Sequence, residues 1–129
     1  MWTKSAPLRI LVVDDDALIR WSLVEMLSDS RYEAVAVTDA KSAVQIVTDA
    51  AVPFDVALLD FLLPDSNDLT LLSRLRRLTP TTRIILMSAF GTPEIAEKAL
   101  NLGAYCVLNK PFEMNALSPL VVEAHVSRF

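Results

Sequence analysis

Five short apolar runs constrain the fold of this chain more than any other feature of its sequence: residues 8–13, 34–37, 56–59, 84–87 and 105–108. Each is rich in Val, Ile or Leu, and none alternates with polar residues. A strand with one wet face alternates, because successive side chains point to opposite faces; an unbroken apolar stretch suits a strand covered on both. Such runs point to a parallel sheet with helices on its two faces.

The intervening segments agree. Ile19, Leu23, Met26 and Leu27 fall at i, i+4, i+7 and i+8, one stripe of a helix. Leu71, Leu75 and Leu78 repeat the spacing, as do Ile95, Ala96, Ala99 and Leu100, then Met114, Leu117, Val121 and Ala124. Ala43, Val44 and Val47 make a weaker case. Asp16, Asp39, and Asn67 or Asp68 are expected to cap the first three helices, and Thr92-Pro93 to open the fourth. Gly103 is expected as its left-handed C-terminal cap. Strand–helix pairs with right-handed crossovers give an α/β, doubly wound five-stranded parallel sheet of order 2-1-3-4-5, flavodoxin-like, with helices on both faces.

A chain of 129 residues, 53% of them hydrophobic, has room for one domain with its own core, which excludes disorder. The domain is expected over residues 7–127, after a short extension at 1–6. The single cysteine, Cys106, and single histidine, His125, exclude a disulfide framework and a His/Cys metal centre. A net charge of −4 argues against this domain gripping nucleic acid. The apolar run at 10–13 stops at three aspartates, too short for a signal peptide or a membrane span. No membrane association is expected, and the cytoplasm is the expected compartment.

In a doubly wound sheet, ligands bind beyond the carboxyl ends of the strands. Those ends carry Asp14-Asp15-Asp16, then Asp60, then Ser88, then Lys110-Pro111. Asp14, Asp15 and Asp60 would converge into an oxygen-rich site suited to Mg²⁺, a hard cation that takes one or two carboxylates plus water. Two carboxylates about 5 Å apart repel by roughly 3 kcal/mol at an effective dielectric near 20, so a cation there is physically motivated.

The segments Val12-Val13-Asp14-Asp15-Asp16, Leu58-Leu59-Asp60-Phe61-Leu62-Leu63-Pro64, Leu86-Met87-Ser88-Ala89 and Asn109-Lys110-Pro111-Phe112 resemble the four signature segments of response-regulator receiver domains. Ser88-Ala89-Phe90-Gly91 with Gly103-Ala104 most resembles receivers of the nitrogen-regulator type. The resemblance implies that Asp60 accepts a phosphoryl group from the phosphohistidine of a sensor histidine kinase. It implies that Asp15, Asp60 and the backbone carbonyl of Leu62 ligate Mg²⁺, with Asp14 acting through bound water. Lys110 would pair with Asp60 and then with the phosphoryl oxygens, Ser88 would hydrogen-bond the phosphate, and Lys110-Pro111 would be a cis peptide. The chain would be a signalling domain rather than an enzyme, and its output, outside this domain, would be transcriptional. The chain ends directly after the fifth helix, as a truncated longer regulator would; a stand-alone receiver is the other expectation. The face of the fourth helix, fifth strand and fifth helix would pair two copies, with Val122 and Val126 adding apolar surface. Leu62 and Phe90, two positions after the acceptor and the hydroxyl residue, would flank the path of a hydrolytic water.

Two positions depart from the family pattern. Asp68 stands where Gly is usual, and Val107, three before Lys110, stands where Tyr or Phe is usual, with the nearest aromatic at Tyr105. They support an alternative, a pseudo-receiver that binds partners without phosphorylation, although every site group is retained. A haloacid-dehalogenase-type phosphatase is disfavoured because residues 14–18 supply only part of its motif, and a Rossmann domain because no Gly-rich loop follows the first strand. Several residues read as ordinary structure: Asp16 as a helix cap, Cys106 as inert core, His125 as solvated, and Arg74, Arg76, Arg77 and Arg83 as a solvated face.

Overall fold

The computed structural model describes residues 7–89 and 91–126. The expected extension at 1–6, Phe90, and the expected domain end at 127 lie outside the described residues. The elements alternate throughout: β1 (Arg9–Val13), α1 (Ala17–Asp29), β2 (Glu33–Val37), α2 (Ala40–Asp49), β3 (Val56–Asp60), α3 (Thr70–Leu78), β4 (Arg83–Ser88), α4 (Pro93–Asn101), β5 (Cys106–Asn109) and α5 (Met114–Val126). All strand pairs are parallel, and the sheet order is β2-β1-β3-β4-β5, as the sequence pattern leads one to expect.

The period-2 geometry of the strands sorts their side chains into two cores. Leu11, Val13, Ala57, Leu59, Ile84 and Leu86 meet Ala43 of α2, Leu71, Leu72 and Leu75 of α3, and Ala99 of α4. Ile10, Val12, Val56, Leu58, Ile85 and Met87 meet Leu23 and Leu27 of α1 and Leu117, Val121 and Ala124 of α5. The three central strands are therefore buried on both faces, which accounts for their unbroken apolar reading. The edges differ. No residue of β2 is fully buried, because β2 has a neighbour on one side only.

Local signals fix most helix ends. Asp16 accepts from the N–H groups of Leu18 and Ile19 at 2.9 and 3.2 Å, Asp39 from Ser42 at 2.7 Å, and Thr92 from Ile95 at 3.2 Å ahead of Pro93. Gly103, at φ 107°, closes α4: its N–H donates to Leu100 and that of Ala104 to Ala99, a Schellman pair. The start of α3 is a variation on the expectation. Its N-cap position is Leu69, which has no capping side chain, and Asp68 reaches over it to accept from Thr70 N–H at 2.9 Å. Asp68 is not among the residues with positive φ. The aspartate in place of glycine therefore serves as a hydrogen-bond acceptor and needs no left-handed backbone.

Two stripe residues leave the core. Leu78 is 45% exposed and Leu100 50% exposed. Each sits in the last turn of its helix beside a buried residue, Thr79 next to Leu78 and Ala99 next to Leu100, and so lies at the outer margin of the covered face.

Candidate functional site

Four strand ends place polar groups at one edge. Asp14 follows β1, Asp60 ends β3, Ser88 ends β4, and Lys110 follows β5. Register holds them together: Asp60 aligns with Met87 and Ser88 with Asn109, while Lys110 N–H donates to Ser88 O at 2.8 Å and Phe61 N–H to Met87 O at 2.8 Å. Carboxylate oxygens of Asp14, Asp15 and Asp60 lie within 4.8 Å of one another. Asp14 has no solvent exposure, Asp60 is almost fully buried, and Asp15 stands exposed at the rim.

Lys110 reaches both buried acids. Its Nζ is 2.8 Å from Asp14 Oδ2 and 3.4 Å from Asp60 Oδ1, so the expected pairing with Asp60 is present but is the longer of the two. The Lys110-Pro111 peptide is cis. Ser88 is buried at the neighbouring strand end. Leu62 sits in the loop beyond Asp60, its N–H 3.4 Å from Asp60 Oδ1, and its side chain is 40% exposed. Phe90, its expected companion, lies outside the described residues.

Electrostatics follow from this geometry. Burial, reinforced by the nearby Asp14 charge, pushes the Asp60 carboxyl up to about 6 against the pull of Lys110. Burial alone would lower Lys110, but its hydrogen bond to Asp14 and the charges of Asp60 and Asp14 outweigh it and hold the ammonium above its usual value. The acids thus exceed the one cation among them. Three hard carboxylate donors, one facing water, fit a hard divalent cation such as Mg²⁺.

Two contacts escaped the sequence reading. Arg20, in the first turn of α1, donates from Nη1 to the backbone carbonyl of Asp14 at 2.9 Å. With Asp16 N–H on Asp14 Oδ1 at 2.9 Å and Asp14 N–H on Val37 O, every polar atom of Asp14 is engaged. Asp65, in the loop after β3, accepts from the N–H groups of Ala40 and Lys41 at 2.8 and 3.0 Å, so it sits on the N-terminus of α2 beside the cap Asp39. An anion there meets unpaired amides and the positive end of the helix. The cue in the sequence was only an acid in a turn.

The residues read as ordinary structure divide. Cys106 is half-buried on the α1/α5 side, where burial and then Glu123 push its thiol up to about 11, which disfavours the thiolate. His125 is not simply solvated: its Nδ1 lies 3.8 Å from Asp55. Within the arginine cluster, Arg76 is tied to the carbonyls of Pro80 and Thr82 at 3.1 Å, whereas Arg74 and Arg77 are exposed. Val107 packs on the core beneath α2, α3 and α4, and Tyr105 on the opposite one, near Glu123 of α5. Tyr105 therefore does not stand in for the aromatic residue absent at Val107.

Among the described residues, no helix is long and apolar enough to cross a membrane. A model of the response regulator receiver domain matches residues 10–121. The chain is 36% identical over 115 residues to the DNA-binding transcriptional regulator NtrC of Azospirillum brasilense, a match over 89% of this chain and 24% of that protein. It is 34% identical over 128 residues to the transcriptional regulatory protein PdtaR of Mycobacterium tuberculosis, over 97% of this chain and 60% of that protein. It thus spans about a quarter of the one relative and 60% of the other. Among solved structures, a CheY-like response regulator receiver domain protein from Methanospirillum hungatei JF-1 superposes with a TM-score of 0.86 at 29% identity, covering 92% of this chain and 93% of that one. NtrX from Brucella abortus does so at 0.82 and 32% identity, over 93% of this chain and 27% of that one. With a family match that runs from β1 into α5 and takes in all four strand ends of the acidic site, the chain belongs to the response regulator receiver domain family of two-component signalling.

Proposed function

We propose that Asp60 is the phosphoacceptor of this receiver and takes its phosphoryl group from the phosphohistidine of a sensor histidine kinase. The observation that carries this reading is the clustering of the Asp14, Asp15 and Asp60 oxygens within 4.8 Å, with Lys110 Nζ 3.4 Å from Asp60. An oxygen of Asp60 attacks phosphorus and the P–N bond of the donor breaks. The bonding pair stays with the imidazole nitrogen, which takes up a proton. A carboxylate held near 6 is mostly ionised at neutral pH, so the attack needs no general base.

Asp15, Asp60 and the Leu62 carbonyl would hold Mg²⁺, with Asp14 linked to it through water. When bound, the ion supplies charge neutralisation for the phosphoryl oxygens. Lys110 is poised to exchange a carboxylate partner for a phosphoryl oxygen, and the Ser88 hydroxyl to donate to another. Asp14, engaged at every polar atom, orients Lys110. The domain proposed is 7–127, acting in the cytoplasm, with a transcriptional output by analogy with NtrC and PdtaR. Self-association is proposed through the face of α4, β5 and α5, where Leu100, Val122 and Val126 stay exposed.

The test is mass spectrometry after incubation with acetyl phosphate. One phosphoryl group is expected on the wild type with Mg²⁺, and none without Mg²⁺ or on Asp60→Asn. Labelling that persists in the Asn variant would relocate the acceptor. A wild type that is never labelled would favour the pseudo-receiver.

A further inference from the structure

The basic side chains of α3 and α4 form a feature that phosphoryl transfer does not use. A groove of about 710 Å³ runs between these helices, floored by Phe61, Leu69, Ile95 and Leu102 and flanked by Arg77 and Lys98. We propose that it is a docking site for an acidic, apolar-anchored helical segment of a partner protein.

Spacing makes the groove two-sided. Thr70, Ser73 and Arg77 present one face of α3, at i, i+3 and i+7, and Ile95 and Lys98 one face of α4, continued at the same intervals by Leu102 at its C-cap. The floor is partly open: Phe61, Leu69 and Ile95 are half-buried, and Leu102 is 40% exposed. A volume of this size takes several side chains rather than a single ion.

Charge selects the occupant. The chain has 16 acidic and 12 basic residues, yet among the described residues neither Arg77 nor Lys98 forms an ion pair. Asp68, the acid at one end of the groove, accepts from Thr70 N–H and keeps its negative charge, so the lining holds two cations against one acid. Two cations without an ion-pair partner, one on each wall beside an apolar floor, complement carboxylates that flank apolar side chains. In such an arrangement the apolar anchors carry most of the affinity, and the charges set orientation and association rate. A nucleic acid fits less well: its extended phosphate track would leave this short basic stretch and meet a domain of net charge −4. The proposal is independent of the phosphoacceptor assignment, and its test needs no phosphorylation.

The probes are two synthetic amphipathic peptides of about 15 residues, four helical turns, with the same leucine face and either Glu or Lys on the polar face, and a short single-stranded RNA. Amide NMR spectra of the chain report the binding. The Glu peptide is expected to shift resonances along 69–77 and 95–102, and the Lys peptide and the RNA to shift none there. Arg77→Glu combined with Lys98→Glu should weaken the Glu peptide by about tenfold or more, Leu102→Ser should weaken it too, and Lys41→Glu on α2 should change nothing. Circular dichroism confirms that each variant is folded. Equal binding of both peptides, binding of the RNA in place of the Glu peptide, shifts confined to another face, or an unaffected double variant would each overturn the proposal.

Discussion

The Lys110 ammonium lies 2.8 Å from Oδ2 of Asp14, a carboxylate with no solvent exposure. A buried ion pair adds little net stability, because desolvating both ions offsets their attraction, but removing one partner strands the other. Lys110→Met would leave Asp14 and Asp60 facing each other without a cation. It should destabilise the Mg²⁺-free protein by about 3 kcal/mol. Asp14→Asn, which leaves Lys110 its second partner Asp60, should cost less. Urea unfolding in EDTA checks both, and equal losses would contradict the geometry.

The raised Asp60 carboxyl gives the Mg²⁺-free protein a pH dependence of definite sign. Its folded value of about 6 lies above the unfolded 3.8. Between them the folded state binds more protons than the unfolded state, so stability falls as pH rises. The protonated acid's contribution is complete below about pH 4 and is lost as pH passes through about 6. Asp60→Asn should flatten this slope. Urea midpoints measured from pH 4 to 7, with and without the substitution, test it; parallel curves would assign the dependence to other groups.

A cation that gathers the three carboxylates should act as a stabilising ligand. At about a hundredfold its dissociation constant, Mg²⁺ should add about 2.7 kcal/mol by linkage. Asp15→Asn should weaken that dependence and raise the melting temperature of the Mg²⁺-free protein, since one of three mutually repelling charges is gone. Melting curves in EDTA and in millimolar Mg²⁺ decide. A wild type indifferent to Mg²⁺ would argue against the metal assignment.

Asp65 tests the joint between the acceptor loop and α2. Asp65→Ala removes two hydrogen bonds at a helix N-terminus and should cost about 1 kcal/mol. Hydrogen exchange of the Ala40 and Lys41 amides should quicken more than that of the core strands. Uniform quickening would mean that the contact is not local.

What the sequence disclosed, and what it did not, follows from the range of each signal. β1, β3 and β4 were legible because double coverage forces an unbroken apolar run, and the acids and lysine because each sits directly at a strand end. Contacts between distant loops leave no local period. Asp65 meets α2 across 24 and 25 residues, and nothing in residues 64–68 names that partner. Arg20 shares the short helical segment of Ile19 and Leu23, so its reach back to Asp14 was hidden in an ordinary amphipathic pattern. Periodicity also overran at Leu78 and Leu100, because the spacing gives the course of a stripe but not how wide the covered face is.

Leu62 offers a kinetic test of the proposed acceptor. It is a large apolar residue two positions after Asp60, 40% exposed, with its N–H 3.4 Å from Asp60 Oδ1. Hydrolysis of an aspartyl phosphate needs a water in line with phosphorus, on the side away from the acceptor oxygen. A leucine at that approach can exclude such a water and cannot orient one. Each tenfold slowing needs only about 1.4 kcal/mol of added barrier, within reach of local exclusion. Leu62→Asn, which adds a donor and an acceptor at similar size, should speed loss of the phosphoryl group severalfold. Leu62→Met, which restores only bulk, should leave the rate near that of the wild type. Decay followed by mass spectrometry after removal of the donor distinguishes them, and equal rates for Asn, Met and wild type would remove Leu62 from the water's path.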